Sequence, residues 1–225
     1  MAAQTAVSEV DGANGRLIYR GGYLIEDLAP VANFEETAYL LWHGELPSRS
    51  ELDALRHEMV SARRLKDAAR ATLAAMDPET DPMDTLRTVL SAQGATKTIA
   101  KPSAGEAVAL TAAIPTIVAG AYRRRQKKDL IEPRDELGHA ANLIWMMEGQ
   151  EPARERVHWL DQYLVLLADH GLNASTFAAR VIASTGSDLT PCVVGSIGAL
   201  KGPSHGGATY AARTMLDSIG TVENA

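Results

Sequence analysis

The chain has 225 residues, 46% of them hydrophobic and 22% charged, a balance typical of a globular protein that buries a substantial core. Its net charge of −6 argues against a general nucleic-acid binder. One cysteine, Cys192, excludes an intrachain disulfide and a zinc-ribbon framework. Because neither a signal peptide nor an apolar run of membrane-spanning length is visible, we expect a cytoplasmic protein that contacts no membrane and no nucleic acid.

The first predicted element is a small β-hairpin. Residues 6–10 and 16–20 flank a glycine-rich turn, which is the usual arrangement of two short antiparallel strands. Alanine is plentiful after the hairpin, and aromatic residues make up only 5% of the chain. This composition favours close-packed helices over further strands.

Helix-starting patterns follow the hairpin. In a capping box, a polar N-cap side chain and a glutamate three positions later each bind the other residue's backbone amide. Three are predicted: Asn33 with Glu36, Ser48 with Glu51, and Ser103 with Glu106. Asp81 before Pro82 predicts another helix start, and Gly94 predicts the end of that helix.

The later helices complete a mainly α fold. Residues 104–124 predict a long apolar helix, which Pro115 should kink or split in two. Further helices are predicted from about Asp135 to Met147, from near Pro152 to Gly171, from Asn173 or Ser175 to Gly186, from Asp188 to about Lys201, and after Gly207. A basic run at 123–128 (RRRQKK) is predicted to compensate a helix dipole, with a phosphate or nucleic-acid patch as the alternative.

Two of the six histidines lie where a predicted helix gives way to glycine. His170 stands in the stretch 169–176 (DHGLNAST), and His205 stands in the stretch 202–208 (GPSHGGA). At such a junction an imidazole and backbone amides can face one small anionic ligand, although a helix cap fits the same pattern. The other four histidines lie in ordinary amphipathic helices and are predicted to be structural: His43, His57, His139 and His158.

The two histidine motifs resemble those of the citrate synthase family, which comprises citrate and 2-methylcitrate synthases and condenses an acyl-CoA with a 2-oxo acid. Similar landmarks precede them in the same order: 21–29 (GGYLIEDLA), 34–41 (FEETAYLL), 81–87 (DPMDTLR) and 147–152 (MEGQEP). The resemblance implies a citrate synthase-like large-domain helical bundle with a small N-terminal β-hairpin. It places residues 1–205 in the large domain and residues 206–225 at the start of a small domain.

The resemblance also implies roles for three residues. His205 would be catalytic, because it can donate a hydrogen bond to the thioester oxygen as an enolate forms. His170 and Asn173 would bind oxaloacetate, although Asn173 is equally suited to be a helix N-cap. Both imidazoles should line one cleft. Acetyl-CoA or propionyl-CoA would be the co-substrate, with no metal or permanently bound cofactor, in a homodimer or higher homo-oligomer.

The family's second catalytic histidine, its catalytic aspartate and its carboxylate-binding arginines have no counterpart in this sequence. We therefore expect a truncated chain that is inactive alone, with activity confined to the complete protein. One alternative is a non-catalytic interaction or dimerisation protein derived from the large domain. Another is a helical metal-binding protein that uses His170, His205 and Asp169.

Overall fold

A three-stranded antiparallel sheet opens the chain in the computed structural model, which describes residues 4–96 and 101–221. Its strands, in spatial order, are β1 (Ser8–Asp11), β2 (Arg16–Tyr19) and β3 (Tyr23–Leu24). The predicted hairpin is confirmed. The third strand was not predicted, because it has only two residues and follows a tight turn in which Arg20 and Gly21 both have positive φ.

Eleven α-helices follow within the described residues, so the predicted mainly α class is confirmed. They are α1 (Ile25–Leu28), α2 (Phe34–His43), α3 (Arg49–Ala62), α4 (Asp67–Ala75), α5 (Pro82–Gln93), α6 (Ala104–Arg125), α7 (His139–Glu148), α8 (Arg154–Leu166), α9 (Ala174–Ala183), α10 (Leu189–Leu200) and α11 (Gly207–Ile219). The expected domain boundary after residue 205 falls in the loop between α10 and α11. It stays a prediction, and residues 222–225 of the expected small domain lie outside the described residues.

The capping boxes predicted for α2 and α3 are both present. Of the third predicted capping box, Ser103 with Glu106, only the first of the two hydrogen bonds is present. Ser103 does accept a hydrogen bond from the Glu106 amide at 3.1 Å. The Glu106 carboxylate, however, accepts from the amides of Leu189 and Thr190, each at 3.1 Å, and so caps the distant helix α10. The unpaired amides at the start of α10 therefore compete successfully for this carboxylate.

Carboxylates from distant helices also cap α7 and α2. Glu35, which is 2% exposed, accepts from the His139 amide at 2.9 Å. Asp161 accepts from the Phe34 amide at 3.0 Å, and burial raises the pKa of Asp161 to about 6. The predicted start of α7 at Asp135 is wrong, because the helix begins only at the residue that Glu35 caps.

The core centres on α6, which contacts α3, α5 and α7. Ile117 is fully buried against Leu73 and Leu90 from α4 and α5. The helix runs unbroken through Pro115, so the predicted split is wrong, and packing on several sides accounts for its continuity. It is also long and apolar enough to cross a membrane, which corrects the sequence-based expectation. Half of its most apolar window is buried inside the protein, as in a core helix.

The basic run at the end of α6 binds the C-terminal ends of neighbouring helices. Arg123 donates to the Met147 carbonyl at 3.1 Å, in the last turn of α7. Arg124 donates to the Met76 carbonyl, directly after α4, at 2.9 Å. Both guanidinium groups thus satisfy helix-terminal carbonyls, which fits the predicted dipole compensation but on helices other than their own.

Candidate functional site

The turn between α8 and α9 carries His170 and is anchored to the N-terminal sheet. The Asp169 carboxylate accepts from the Gly171 amide at 2.9 Å and from the hydroxyl of Ser8 in β1. The Asp169 amide donates to the Tyr19 hydroxyl at 3.3 Å. That hydroxyl in turn donates to a carbonyl in the last turn of α8 at 2.8 Å. Burial raises the pKa of Tyr19, so the phenol keeps the proton that this contact requires.

His170 is exposed and lines an open cleft of about 420 Å³. Asn173 lines the same cleft, and Thr5 and Ser8 from the N-terminal segment form its other wall. The two predicted oxaloacetate ligands are therefore neighbours. The contribution of the N-terminal segment was not predicted, because more than 160 positions separate Ser8 from the His170 motif.

Asn173 is the N-cap of α9. Its side-chain oxygen accepts from the Thr176 amide at 2.9 Å and from the Ser175 hydroxyl at 2.7 Å. The structure thus shows the capping role that the sequence left open. Both bonds use the amide oxygen, so they do not engage the side-chain NH₂ group.

His205 lies half-buried in the loop between α10 and α11, with Nε2 3.0 Å from the Ser175 hydroxyl oxygen. The His205 amide donates to the Gly202 carbonyl at 3.0 Å, and the Gly206 amide donates to the Leu200 carbonyl at 2.9 Å. A Cβ at Gly206 would lie 2.2 Å from that carbonyl oxygen. Only glycine therefore fits at this position, and the close contact that requires it is with backbone.

A chain of hydrogen bonds thus joins His205 to Asn173 through Ser175. Ser175 has one hydroxyl proton and two possible acceptors, Asn173 Oδ1 and, in one tautomer, His205 Nε2. If the proton points to Asn173, a neutral His205 donates through Nε2–H. If it points to His205, the ring carries its proton on Nδ1. The orientation of one hydroxyl therefore decides whether a neutral His205 carries an Nδ1–H that can donate to a ligand.

Sequence reasoning missed Ser175 as part of this arrangement. It was interpreted only as a helix-starting residue, and 30 positions separate it from His205. No spacing pattern signals this contact, which depends on how α10 packs against α9. His205 is not among the residues that line the cleft at His170, and its link to that cleft runs through Asn173. That both imidazoles face one ligand stays a prediction.

His139, one of the histidines predicted to be structural, packs inside the protein, and the alternative metal site lacks a ligand group among the described residues. His139 is buried and stacks on Phe34 at 4.2 Å between ring centroids, and burial lowers its pKa to about 3. Across 4–96 and 101–221, no group of three or more His, Cys, Asp or Glu residues is placed to hold a metal. The Asp169 carboxylate proposed for such a site is engaged by Ser8 and Gly171.

Comparison with known proteins shows which family this chain resembles. The family model described as "Citrate synthase, C-terminal domain" matches residues 1–225. The citrate synthase of Haloferax volcanii is 41% identical over 97% of this chain and 60% of its own length. The 2-methylcitrate synthase of Mycobacterium tuberculosis is 41% identical over 98% of this chain and 57% of its own length. The chain thus spans about 60% of the length of these relatives.

Solved structures show the same partial coverage. Citrate synthase from Thermotoga maritima matches 99% of this chain and 59% of its own, with a TM-score of 0.85 and 39% identity. Citrate synthase from Thermoplasma acidophilum, in a ternary complex with carboxymethyl coenzyme A and oxaloacetate, matches 96% of this chain and 58% of its own. Its TM-score is 0.90 at 28% identity.

Proposed function

The chain belongs to the citrate synthase family, and we propose that it supplies His205, His170 and Asn173 to a citrate synthase-type acyltransferase. This enzyme condenses acetyl-CoA or propionyl-CoA with oxaloacetate, giving citrate or 2-methylcitrate and free CoA. The observation that carries the proposal is the position of Ser175, whose hydroxyl oxygen lies 2.7 Å from Asn173 Oδ1 and 3.0 Å from His205 Nε2. It ties the catalytic candidate to a residue that lines the His170 cleft.

His205 acts on the acyl thioester. Removing a proton from the methyl or methylene group next to the thioester places negative charge on its carbonyl oxygen. A preplaced N–H donor stabilises that charge as it develops and so lowers the barrier. We propose that in the reacting complex the Ser175 hydroxyl gives up its hydrogen bond to Asn173 and donates to Nε2, which leaves the Nδ1–H of His205 free to donate to the thioester oxygen.

His170 and Asn173 act on the oxo acid. Oxaloacetate has two carboxylates and a ketone, all of which accept hydrogen bonds. The exposed His170 imidazole and the Asn173 NH₂ group are donors at one cleft. The N-terminus of α9 adds the positive end of a helix dipole, which favours an anion there.

The proposal extends to the oligomeric state, the cellular location and the acyl-CoA substrate. We propose a cytoplasmic homodimer or higher homo-oligomer, with the large domain ending at residue 205. Exposed apolar side chains on α11 support self-association, since Met215 and Leu216 are 56% and 60% exposed. Citrate and 2-methylcitrate synthases are equally similar to this chain, so the proposal includes both acyl-CoA substrates.

Release of CoA, measured with acetyl-CoA or propionyl-CoA plus oxaloacetate, tests the proposal. We expect no useful turnover from the 225 residues alone, because no residue in them matches the family's catalytic base. In a full-length citrate synthase that carries these residues, His205→Ala should lower kcat by about 10²–10³. His170→Ala should act mainly by raising KM for oxaloacetate.

Ser175→Ala provides the structural test. It should lower kcat by roughly tenfold, because the His205 ring loses the contact that orients it. Ser204→Ala is the matched control, since Ser204 is the exposed neighbour of His205 and should leave kcat unchanged. Full activity in His205→Ala would contradict the catalytic role of His205, whereas no turnover by the full-length protein would favour the non-catalytic alternative. Robust turnover by the purified 225 residues would mean that they contain an unidentified base.

A further inference from the structure

A cavity remote from the His170 cleft lies between the end of α4, the first turn of α5 and the second half of α6. We propose that it binds a medium-chain monocarboxylate, with the hydrocarbon chain in the cavity and the carboxylate at the arginines that end α6. This inference goes beyond the proposed function, since no step of that reaction uses these residues.

The cavity walls are apolar and deformable. The buried side chains of Leu73 and Ile117 line it, together with three methionines: Met76, Met83 and Met147. Unbranched, polarizable methionine side chains adapt to flexible apolar ligands. Its volume is about 310 Å³. Since an apolar cavity of about 150 Å³ can hold benzene, twice that volume suits a chain of roughly eight to ten carbon atoms.

The mouth of the cavity is cationic. Arg124 and Arg125 both line it. Arg124 donates once to the Met76 carbonyl, so most of its five N–H donors remain for other acceptors. Arg125 is half exposed and lies 3.6 Å from Glu79, at the long end of the range for an ion pair. A ligand carboxylate can therefore replace or join Glu79 at this guanidinium group.

Of the described residues that line the cavity, one is an acid and two are arginines, so the lining keeps a net positive charge. Asp77 accepts a hydrogen bond from the Glu79 amide at 2.9 Å, within its own turn. An apolar chain with an anionic head thus matches both parts of the site. An alcohol of equal length would match the walls alone, and an alkylammonium ion would face two guanidinium groups.

The methionines make the site directly observable by NMR. We would label the methionine methyl groups of the 225-residue protein with ¹³C and titrate with sodium octanoate. The methyl signals of Met76, Met83 and Met147 should shift together with one Kd below about 1 mM. Met59, buried in another cluster, and Met215, exposed on α11, should not shift. Octan-1-ol should bind at least about tenfold more weakly.

Three variants complete the test. Ala121→Phe places a ring in the cavity and should abolish binding, since the half-buried Ala121 lines it. Arg125→Gln should weaken octanoate binding by about tenfold and leave octan-1-ol unaffected. Lys128→Gln is the matched control, because it removes the same charge three residues away and should change nothing.

The proposal is overturned by equal affinity for octanoate and octan-1-ol, or by equal effects of Arg125→Gln and Lys128→Gln. It is also overturned if octanoate shifts Met59 and Met215 as much as the lining methionines. Absence of any shift up to about 5 mM octanoate would overturn it as well. Should Ala121→Phe fail to fold, Arg125→Gln and its control still decide the question.

Discussion

Helices α6 and α9 are both alanine-rich, a composition that favours close helix packing. The two helices differ in how deeply they are buried. Nine residues of α6 are buried, including Val108, Pro115 and Ile117. None of the ten residues of α9 is buried, although α9 begins at the Asn173 cap and carries Ser175. Similar composition thus produces a core helix in one place and a site helix in the other.

The difference shows how each helix is held. Apolar burial from several sides fixes α6, whereas α9 packs mainly against α10. The end of α9 at the candidate site is positioned by polar contacts from Asn173, Ser175 and His205. Neighbouring helices leave further apolar side chains exposed, such as Trp159 on α8. Binding residues commonly lie on the less stable part of a fold, because ligand access and burial exclude each other.

The contrast between α6 and α9 predicts a large difference between two identical substitutions. Ile117→Ala removes a fully buried side chain from α6 and should lower the free energy of unfolding by about 3–4 kcal/mol. Ile182→Ala, at a half-buried position of α9, should cost only about 1 kcal/mol. Urea unfolding followed by circular dichroism measures both. Equal losses would mean that α9 belongs to the same cooperative core as α6.

A second substitution tests the core through pH. The pKa of His139 is about 3 in the folded protein, lowered first by burial and then by the charge of Arg63, against an ordinary value of 6.5. As pH falls below 6.5, His139 is therefore protonated in the unfolded chain but stays neutral in the folded chain. Stability is lost progressively from that pH down to the folded pKa, by about 3 kcal/mol at pH 4.

His139→Phe should abolish this loss, because phenylalanine can keep the ring stack on Phe34 but cannot be protonated. His43→Phe is the matched control. The His43 ring also stacks on an aromatic neighbour, at 4.1 Å, but His43 is exposed. Urea unfolding at pH 7 and pH 4 should show a smaller acid-induced loss only in His139→Phe. The same acid-induced loss in His139→Phe and wild type would assign the pH dependence to other groups.

Local patterns in the sequence predicted much of the fold. The capping boxes at Asn33 and Ser48 and the Asp81 cap before Pro82 are present, because each involves residues only a few positions apart. The two histidine motifs do lie at helix junctions. The segment from Asp135 to His139 was misjudged, because a carboxylate of α2 determines where α7 begins.

The candidate site was predicted in its residues but not in its contacts. His170, Asn173 and His205 were found by resemblance, whereas the Ser175 link to His205 and the Ser8 wall were not. Both contacts join segments that are distant in the chain, so they depend on helix and sheet packing. No local periodicity carries that information.

Two adjacent glycines test how tightly the His205 loop is packed. Gly206→Ala should cost about 1–3 kcal/mol, because its Cβ would lie 2.2 Å from the backbone oxygen of Leu200 and the loop must move. Gly207→Ala should be nearly neutral, since its closest new contact is an ordinary 3.7 Å to Pro203. Urea unfolding measures the cost, and the NMR signals of the His205 ring report the displacement. Equal behaviour of the two variants would contradict the tight loop.

A small effect on stability is expected from an ion pair that connects the core to the His205 loop. Lys201, directly after α10, pairs with Asp84 in the first turn of α5, and this contact lowers the pKa of Asp84 below its ordinary value of 3.8. Such a pair stabilises the fold only while the carboxylate is ionised, so its contribution is present above pH 3.8 and lost as pH falls through the folded pKa.

Lys201→Gln should therefore raise the pKa of Asp84 toward its ordinary value, as followed by ¹³C NMR of the carboxyl group. Its unfolding midpoint should fall less than in Ile117→Ala, Ile182→Ala or Gly206→Ala, because both partners are partly exposed, and should match wild type at low pH. Arg213→Gln breaks an exposed pair with Asp217 inside α11 and should leave the pKa of Asp84 unchanged. A fall in stability as large as that of Ile117→Ala would mean that the His205 loop is part of the core. The candidate site would then not differ in stability from the core around α6.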